Sequence, residues 1–552
     1  MIRQSQTFRT DEQVDFVIVG SGAAGGVLAK ELSSNGFSVV VLEQGPYKKT
    51  VEFGHDELEN YFGNGLTGRM SDHPQSFRAT ADQEAQPSFF FPTLMYAKGV
   101  GGSSLHFAAN YWRLRPVDFM ERSLLGAIPG TTFADWPITY DELEPYYTKV
   151  DWEVGVSGEP GPGDPYRSRP YPVPPMPIKS SGVILRDGAA AMGYTSAPAP
   201  LAILSQPHNG RNACIHCGMC WGQACEVGAK SSTLVSMIPI AEQTGRCEVR
   251  AESVVTRVET DAGGRATGVV YLDPAGVEQM QPAKAVILAA NGAETPRLLF
   301  LSESTRHPDG LGNSSGYVGK NLMFNYNPVT WAEFPEPLNE HKSVVATRVV
   351  MDFYDSDPRR GFYGGGGIDA RATIGPLFWA ALDNPLPGDP GWGPEFKRNL
   401  QKFRFTMQTL GHGTSLPLET NTITLDPSLV DAWGRPAIRT TYDDHPDDLA
   451  FGQFLQDRSV EMLEAAGSTR VTRMPVGKST LAAHLLGTAR MGDDPQTSVV
   501  DRYHRSHDVP NLFICDGSSM VTSGRGQPTM TIQALAFRAA DHITEFARRG
   551  EI

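Results

Sequence analysis

The sequence predicts an α/β fold in which a Rossmann-like domain is combined with a second domain built on an antiparallel β-sheet. A strand–helix–strand pattern opens the chain at residues 14–43, and a strand followed by a long helix closes it at residues 511–546. Between them, residues 330–440 alternate strand-like runs with turns, as antiparallel sheets do. The length of 552 residues is enough for two closely packed domains with a large core.

Composition and charge exclude several classes of partner. The net charge of −14 argues against binding to nucleic acid or to an anionic membrane, because both need clustered Lys and Arg. No apolar run approaches the length of a transmembrane helix, so we expect no direct membrane insertion. Residues 1–16 lack an apolar signal segment, which predicts a cytoplasmic protein; export to the periplasm together with a partner subunit is the alternative.

The first βαβ unit has the pattern that binds a dinucleotide. A strand is predicted at residues 14–19, a helix at residues 26–34 and a second strand at residues 37–42. The motif GSGAAG fills residues 20–25, where the turn would present free N–H groups to a phosphate. A glycine-rich structural turn is the alternative for the motif alone, but both flanking strands favour a dinucleotide site.

Four residues of this unit have predicted roles. Gly20 permits the tight turn, and Gly22 lets the backbone approach a pyrophosphate at the helix N-terminus. Gly25 lets the helix pack closely on the strand. Glu43 follows the second strand and is placed to accept hydrogen bonds from the ribose hydroxyls. These features do not distinguish FAD from NAD.

The middle of the chain is predicted as short elements separated by turns. A second glycine-rich loop occupies residues 97–110, and a long irregular connection occupies residues 157–178. Thr139 and Glu142 form a capping box at the start of a helix. We expect Pro145 to open a further helical piece in its first turn, where its missing N–H costs nothing.

The elements that follow lead towards the second domain. We predict a helix at residues 232–243, a hairpin at residues 247–273 and a buried strand at residues 285–290. Pro296 is expected in the first turn of the helix after that strand. A long amphipathic helix is predicted at residues 447–466.

The carboxy-terminal segment is expected to return to the first sheet and to its ligand. The strand before the last helix ends at Asp516 and Gly517, a pair suited to touching a bound cofactor. The last helix opens at Pro528, and its N-terminus offers unpaired N–H groups and the positive end of the helix dipole. Pointed at the pyrimidine ring of a flavin, this end would stabilise the anionic reduced form.

A cluster of cysteines indicates a metal centre. Residues 214–225 hold four of the six cysteines, spaced C-x2-C-x2-C-x4-C: Cys214, Cys217, Cys220 and Cys225. Ferredoxin-type ligation uses the same C-x2-C-x2-C spacing, which favours an iron–sulfur centre. A structural zinc site and a cysteine loop without metal are the alternatives, and zinc sites usually use two separated pairs. His216 is a further candidate ligand, with an exposed loop position as its alternative.

Taken together, these stretches resemble the glucose–methanol–choline (GMC) oxidoreductases, a family of FAD enzymes with a glutathione reductase-like FAD-binding domain. The resemblance rests on the motif at residues 20–25, the loop at residues 99–102 and residues 292–299 and 484–529, in the family's order. It is nearest to the bacterial, pyranose oxidase-like branch of sugar dehydrogenases. It implies FAD as cofactor and a carbohydrate or glycoside as substrate. Some dehydrogenases of this branch carry an iron–sulfur cluster where residues 214–225 lie, which implies electron transfer to an acceptor such as a small subunit and a cytochrome c subunit.

The resemblance also implies roles for individual residues. The family's catalytic histidine corresponds to His484, and the position of its usual Asn or His partner holds Gln527, which keeps a donor and an acceptor on a longer side chain. His106 lies where some relatives link histidine covalently to the flavin, and a packed histidine beside the flavin is the alternative. The other positions implied to contact FAD are Gly101, Gly102, Val254, Asp516, Gly517, Pro528 and Thr529.

The implied reaction is the oxidation of a secondary hydroxyl, for example at C3 of a glucoside, to a ketone. His484 would take the hydroxyl proton while hydride passes to the flavin. Electrons would then leave through the iron–sulfur cluster to an external acceptor. An oxidase that reduces oxygen, with a structural cysteine cluster, is one alternative, and a non-redox flavin-containing lyase is another. His412, His504 and His507 match no motif, so we expect core or surface roles for them.

The same pattern predicts how the two domains share the chain. The FAD-binding domain takes three separate segments and the substrate domain takes the rest. The segments are 1–135 (FAD-binding, first part), 136–212 (substrate-domain segment and linker), 213–325 (cysteine cluster and FAD-binding, second part), 326–475 (substrate domain) and 476–552 (FAD-binding, with the catalytic histidine).

Overall fold

The computed structural model describes residues 8–62, 71–88, 92–371 and 375–552. Residues 1–7, part of the stretch on which the localisation prediction depends, lie outside the described residues. Within the described ranges, no helix combines the length and the apolar character needed to cross a membrane.

Strands and helices are numbered along the chain. The strands are β1 (Val14–Val19), β2 (Val39–Leu42), β3 (Gln75–Arg78), β4 (Gln86–Pro87), β5 (Ser196–Pro198), β6 (Cys247–Arg250), β7 (Val254–Thr260), β8 (Ala266–Leu272), β9 (Glu278–Leu288), β10 (Val329–Glu333), β11 (Ala346–Val350), β12 (Gly366–Arg371), β13 (Thr406–Gly413), β14 (Thr422–Val430), β15 (Pro436–Thr441), β16 (Arg470–Arg473) and β17 (Leu512–Ile514). The α-helices are α1 (Ala23–Ser34), α2 (Glu121–Leu125), α3 (Tyr140–Val150), α4 (Ser180–Ala191), α5 (Ile238–Gln243), α6 (Asn291–Leu301), α7 (Pro376–Phe378), α8 (Gly393–Leu400), α9 (Pro446–Ala465) and α10 (Pro528–Arg548).

The first sheet is mixed, with the strand order β6-β2-β1-β9-β8-β7 and with β17 paired to β9 outside this path. Strand β9 joins its two halves. Residues 283–288 pair parallel with β1, and residues 278–282 pair antiparallel with β8. Strand β1 is buried except at Asp15, as expected of a parallel strand covered on both faces. This arrangement confirms the predicted α/β fold with a Rossmann-like domain.

The last helix packs on the first one, which returns the end of the chain to its beginning. Val27 and Leu28 of α1 share one buried cluster with Leu535 and Ala539 of α10 and with the strands of the first sheet.

 Leu535, Ala539 and Ile543 are spaced to lie on one apolar face of this helix, and all three are buried. Their burial holds the N-terminus of α10 close to the turn between β1 and α1.

The second sheet has the order β16-β10-β13-β12-β11-β5, and each neighbouring pair is antiparallel. It confirms the antiparallel sheet predicted for residues 330–440, although β5 and β16 come from outside that range. Leu185 of α4 and Leu455 of α9 pack with Ile368 and Met407 of the sheet in a second buried cluster. A third, smaller sheet has the strand order β14-β15-β3-β4.

Two predictions about prolines were wrong. Helix α3 starts at Tyr140 with the predicted capping box of Thr139, but it continues through Pro145 without a second start. Helix α6 starts at Asn291, so Pro296 lies inside it rather than in its first turn. In each helix a buried face packs against the core, and this packing outweighs the hydrogen bond that the proline ring removes.

Other boundaries also moved. Helix α1 begins at Ala23 rather than at residue 26, because the glycine motif itself forms the first helical turn. Residues 232–243 are α-helical only from Ile238, where a proline occupies the first turn. In the predicted hairpin, β7 and β8 pair as expected, whereas β6 pairs parallel with β2 at the edge of the sheet.

Candidate active site

A cavity of about 970 Å³ extends from the first sheet to the second. Gly25 and Gly101 belong to the glycine-rich loops but do not line the cavity. The predicted cofactor and catalytic residues that line it are Gly20, Gly22, Glu43, Gly102, His106, Val254, His484, Asp516, Gly517, Gln527, Pro528 and Thr529. Residues far apart in the sequence therefore meet around a single space.

Two glycine-rich loops touch at one end of the cavity. A Cβ atom on Gly102 would lie 2.6 Å from the Cα of Gly22, so the second loop has no room for a side chain at this point. A Cβ atom on Gly25 would lie 1.9 Å from the carbonyl oxygen of Gly20. Gly20 has a φ of +95°, a left-handed conformation that favours glycine. The glycines thus permit the close turn and the tight helix–strand packing that the fingerprint predicts.

Glu43 ties these loops together. Its Oε2 accepts hydrogen bonds from the backbone N–H and the hydroxyl of Ser21, at 3.1 and 2.7 Å. Its Oε1 accepts from the N–H groups of Gly45 and Gly99, at 3.0 and 3.3 Å. Burial raises the pKa of Glu43, and these hydrogen bonds partly offset the effect. The carboxylate faces the cavity, but the ribose contact predicted for it stays a prediction.

Asp516 lines the cavity and holds two backbone segments in place. Its Oδ2 accepts hydrogen bonds from the N–H of Asn291 at 3.0 Å and from the hydroxyl of Thr295 at 2.6 Å, which fixes the start of α6. Its Oδ1 accepts from the N–H of Ser518 at 2.8 Å, which fixes the turn after Gly517. The carboxylate therefore holds two backbone segments at the cavity surface.

The N-terminus of α10 also opens on the cavity. Pro528 and Thr529 form its first turn and line the space, and the first N–H groups of a helix have no partner within it. Together with the glycine loops, these N–H groups give the cavity backbone donors and points of close approach. These features fit a dinucleotide such as FAD.

His484 lies in the same cavity and is held in one tautomer. Its Nδ1 is 3.1 Å from Oδ1 of Asn325. The amide nitrogen of Asn325 donates to the carbonyls of Gly413 and Gly524, at 3.0 and 3.2 Å, so its oxygen must face the histidine. An amide oxygen only accepts hydrogen bonds, which places the proton of His484 on Nδ1 and the lone pair on Nε2.

Burial is the main cause that lowers the pKa of His484, to about 4, and the electrostatic interaction with His412 lowers it further. A hydrogen bond to Gln527 acts in the opposite direction. The ring is therefore neutral at neutral pH, as a base must be before it accepts a proton.

Gln527 makes a second contact that the sequence does not predict. Its Nε2 lies 2.8 Å from Nδ1 of His412, and Nε2 of that histidine lies 2.8 Å from Oδ2 of Asp369. Asp369 also forms an ion pair with Arg371 and accepts a hydrogen bond from Asn110 at 2.9 Å. Burial raises the pKa of Asp369, but Arg371 and His412 reverse this and hold it well below its usual range.

Sequence reasoning missed two members of this site. His412 was expected in a core or surface role, but it lines the cavity beside Gln527. Asn325 matched no motif either. Residues 369 and 412 lie on neighbouring strands, β12 and β13, and their proximity depends on the register of that pair. Only the strand pairing could have revealed this contact, because no local pattern records it.

His106 lines the cavity on the side of the second glycine loop. Its Nδ1 is buried, with no hydrogen-bond partner among the described residues. Burial lowers the pKa of His106 to about 3, so the ring is neutral. Its carbonyl oxygen accepts a hydrogen bond from the N–H of Gly222 at 2.9 Å. A covalent bond to flavin and a packed ring beside it both stay predictions.

The four clustered cysteines are free thiols that share one loop next to His106. Cys220 is buried, Cys217 is exposed, and Cys214 and Cys225 are intermediate. Burial raises the pKa of Cys220 to about 12, Lys230 opposes this, and the three other thiols add to it.

Lys230 holds the loop in place. Its Nζ donates to the carbonyls of Cys220 and Gln223, each at 2.6 Å, and to that of Phe107 at 3.0 Å. His216, the alternative ligand, lies 2.7 Å from the hydroxyl of Ser343 through its Nδ1. Across the described part of the chain, no group of three or more His, Cys, Asp or Glu side chains is arranged to hold a metal ion. The thiols do not form a ready ligand set, so the metal centre stays a prediction.

Comparison with protein families gives two matches that together span most of the chain. Two family profiles, both described as GMC oxidoreductase, match residues 14–327 and residues 417–536. The first covers the glycine loops and the cysteine loop, and the second covers His484 and Gln527.

Comparison with individual proteins gives the same result. The chain is 34% identical to 2-methyl-1,2-propanediol dehydrogenase of Mycolicibacterium austroafricanum, covering 97% of this chain and 95% of that protein. It is 30% identical to the fructose dehydrogenase large subunit of Gluconobacter japonicus, covering 97% of this chain and 98% of that protein. Among solved structures, pyridoxine 4-oxidase from Mesorbium loti matches with a TM-score of 0.62 at 19% identity, covering 97% of this chain and 99% of that one. The last likeness concerns the fold alone.

Proposed function

The chain belongs to the GMC oxidoreductase family, and we propose that it oxidises a hydroxyl group of a sugar or polyol with FAD as its bound cofactor. The observation that carries this proposal is the fixed tautomer of His484, whose Nε2 lone pair is available in the cavity. Bound FAD supplies the acceptor for the hydride that leaves the substrate carbon. The residues that would hold it are the glycines of the two loops, Glu43, Asp516 and the first turn of α10.

The protein's own part in the reaction is to take one proton. His484 accepts the hydroxyl proton at Nε2, which converts the alcohol into the alkoxide-like state that releases hydride. Asn325 keeps the other ring nitrogen protonated, so the ring has a single site for the incoming proton. The hydrogen bond to Gln527 favours the charged ring once the proton has moved. Loss of the proton and the hydride leaves a neutral carbonyl product, which then dissociates.

The proposed substrate is polyhydroxylated. Polar side chains line the cavity near His484, among them Asn327, Tyr326 and Arg371, and such groups can hydrogen-bond several hydroxyls of one ligand. Two relatives are named for a diol and for a ketose, which supports the same class. We propose a secondary ring hydroxyl, with C3 of a glucoside as the first position to examine.

The test is anaerobic reduction of the bound flavin. A panel of methyl glucoside, fructose, gluconate and 2-methyl-1,2-propanediol is mixed with the FAD-loaded protein, and flavin bleaching is followed by absorbance. Bleaching by a member of the panel, with formation of the carbonyl product, supports the proposal. A flavin that dithionite bleaches but that no alcohol bleaches contradicts it and favours the lyase alternative.

The route of the electrons is a separate proposal. We propose that they pass through an iron–sulfur cluster on residues 214–225 to an external acceptor, with a small subunit and a cytochrome c subunit as partners. The spacing C-x2-C-x2-C-x4-C supports it, and so does the printed name "large subunit" of the fructose dehydrogenase relative. The described residues hold no preformed ligand group, so no step of the reaction is assigned to a cluster.

Metal analysis decides between the acceptors. Protein purified without oxygen is assayed for iron and acid-labile sulfide, and its EPR spectrum is recorded before and after reduction by substrate. Iron with sulfide and a reducible signal, both lost in Cys220→Ser, supports the cluster. Metal-free protein that forms peroxide in air contradicts it and favours an oxidase.

A further inference from the structure

We propose that His412, held by Asp369, is a positioning residue that orients the amide of Gln527 towards His484. The inference deepens the proposed function and rests on it, since it concerns the same site. His412 reaches the cavity from strand β13 of the second sheet, whereas His484 and Gln527 belong to the carboxy-terminal segment. The contact therefore couples the two domains at the point where the proton is taken.

The surroundings of His412 leave it little freedom. The side chain is 1% exposed, and its ring meets that of Trp112 edge-on, with centroids 4.8 Å apart. Asp369, its carboxylate partner, is fully buried and is itself held by Arg371 and Asn110. A buried carboxylate with this many donors does not turn, so the histidine it binds is fixed as well.

The contacts of the ring nitrogens decide its tautomer. Oδ2 of Asp369 lies 2.8 Å from Nε2 and can only accept, whereas Nη2 of Arg371 is farther away at 3.3 Å. The proton therefore resides on Nε2, and Nδ1 carries the lone pair. Two amide nitrogens point at that lone pair, from Gln527 at 2.8 Å and from Asn327 at 3.4 Å.

The tautomer of His412 in turn fixes the amide of Gln527. With its nitrogen donating to Nδ1 of His412, the amide presents its oxygen elsewhere, and an oxygen favours a protonated partner. The interaction between Gln527 and His484 acts in this sense, because it raises the pKa of His484 and so favours the charged ring. When His484 takes the hydroxyl proton onto Nε2, the new N–H can donate a hydrogen bond to the Gln527 oxygen.

This arrangement explains how glutamine serves at position 527. A free glutamine amide can present either end, and the wrong end would oppose protonation of His484. Asp369 and His412 remove that choice through a chain of hydrogen bonds that ends on the amide nitrogen. The role differs from that of a catalytic residue, because His412 acts only through Gln527.

A double-mutant cycle tests the proposal on the FAD-loaded, full-length protein. The rate constant of flavin reduction and the substrate dissociation constant are measured for the wild type, His412→Phe, Gln527→Ala and the double variant. We expect His412→Phe to slow flavin reduction by about 10- to 100-fold, with the dissociation constant changed less than about threefold. Because His412 acts through Gln527, the double variant should be no slower than Gln527→Ala. The proposal would be overturned if the rate losses of the two single variants multiplied in the double variant. It would also be overturned if His412→Phe reduced its flavin as fast as the wild type.

Two further variants separate positioning from folding. His412→Gln keeps one donor and one acceptor and should recover most of the rate. Thr409→Val changes a buried hydroxyl on the same strand that has no hydrogen-bond partner among the described residues, and it should reduce its flavin like the wild type. A His412→Gln variant as slow as His412→Phe contradicts the orienting role.

One readout does not depend on the substrate. The proton between His412 and Asp369 should give a downfield imidazole N–H resonance that His412→Phe abolishes and that Gln527→Ala shifts. If the wild-type flavin is never reduced by an alcohol, the proposed function fails, and this resonance still decides the hydrogen-bond chain. Absence of the resonance in the wild type refutes the chain.

Discussion

The amide oxygen of Asn325 lies 3.1 Å from Nδ1 of His484, across 159 positions of sequence, and this contact decides which ring nitrogen is available for chemistry. The amide cannot turn over without giving up its donations to backbone carbonyls, among them those of Gly413 and Gly524. A base that must accept a proton repeatedly benefits from a fixed lone pair, because no reorganisation is needed before each transfer. The activity predicted for His484 therefore depends on a residue from outside its own motif.

Replacing His484 should remove the base without removing the cofactor. We expect His484→Ala to slow flavin reduction by substrate by about 10²- to 10⁴-fold, the usual contribution of general base catalysis. The glycine loops and α10 are untouched, so the FAD content and the rate of reduction by dithionite should match the wild type. Stopped-flow absorbance measures both rates. Fast reduction by substrate in this variant would assign the base to another residue.

The pH dependence of flavin reduction should reflect the buried setting of His484. Burial, and then the electrostatic interactions with His412 and Arg371, lower its pKa, whereas Gln527 raises it, with a net value of about 4. The neutral ring is the active form, so the rate should stay level from pH 8 down to about pH 5 and fall only below that. The measurement is the second-order rate constant of reduction against pH. A half-maximal rate near pH 6.5, the ordinary value for histidine, would show a solvated base.

Asn325→Asp should shift the acid limb of this pH profile, the fall of the rate at low pH, to higher pH. A carboxylate at the position of the amide oxygen would favour the imidazolium form and raise the pKa of His484. We expect the limb to move by about one pH unit or more towards neutrality, with a lower rate at pH 6 because less neutral base is present. The same pH profile measures the shift. An unchanged limb would mean that Asn325 does not contact the base during turnover.

The sequence predicts those parts of this protein that depend on local pattern. The βαβ unit around Gly20, the antiparallel sheet of residues 330–440 and the last helix all follow from periodicity, turn residues and helix starts, and the structure confirms them. The prolines at 145 and 296 were misjudged because a local rule about missing N–H groups was outweighed by packing between distant segments.

The site divides along the same line. His484 and Gln527 were found through a family motif, which is itself a local pattern. Asn325 and His412 were not, because their roles arise from tertiary contacts with the carboxy-terminal segment: Asn325 lies just before β10, and His412 lies on β13 of the second sheet. Strand register and tertiary packing create these contacts, and neither leaves a mark in a single sequence.

Gly25→Ala should abolish FAD binding. The new Cβ would lie 1.9 Å from the carbonyl oxygen of Gly20, so α1 must move away from β1 and the phosphate-facing turn must open. Gly54→Ala is the matched control, because a Cβ there meets nothing within 4 Å. The measurement is the ratio of FAD to protein after purification. We expect a ratio near zero for Gly25→Ala and a wild-type ratio for Gly54→Ala. Full FAD content in Gly25→Ala would contradict the proposed role of this turn in FAD binding.

Buried neutral histidines should make the protein sensitive to acid. Burial lowers the pKa of His504 and His106 to about 3, and that of His484 and His73 to about 4. In the unfolded chain histidine binds a proton near pH 6.5, so the unfolded state takes up more protons as the pH falls from 6.5 towards 4. The stability that these groups contribute is therefore complete above pH 6.5 and is lost below it, by up to about 1.4 kcal/mol per pH unit for each histidine.

His504→Asn isolates one of these contributions. His504 has a φ of +66°, which asparagine tolerates, and its Nδ1 lies 3.0 Å from the carbonyl oxygen of Ile514, a contact that an amide N–H can replace. Denaturant unfolding of the FAD-loaded protein at pH 6 and pH 5 should show a smaller loss of stability in the variant, by about 1.2 kcal/mol over that unit. Thr409→Val removes no titrating group and should keep the wild-type pH dependence. An identical pH dependence in His504→Asn and the wild type would mean that His504 is protonated in the folded state.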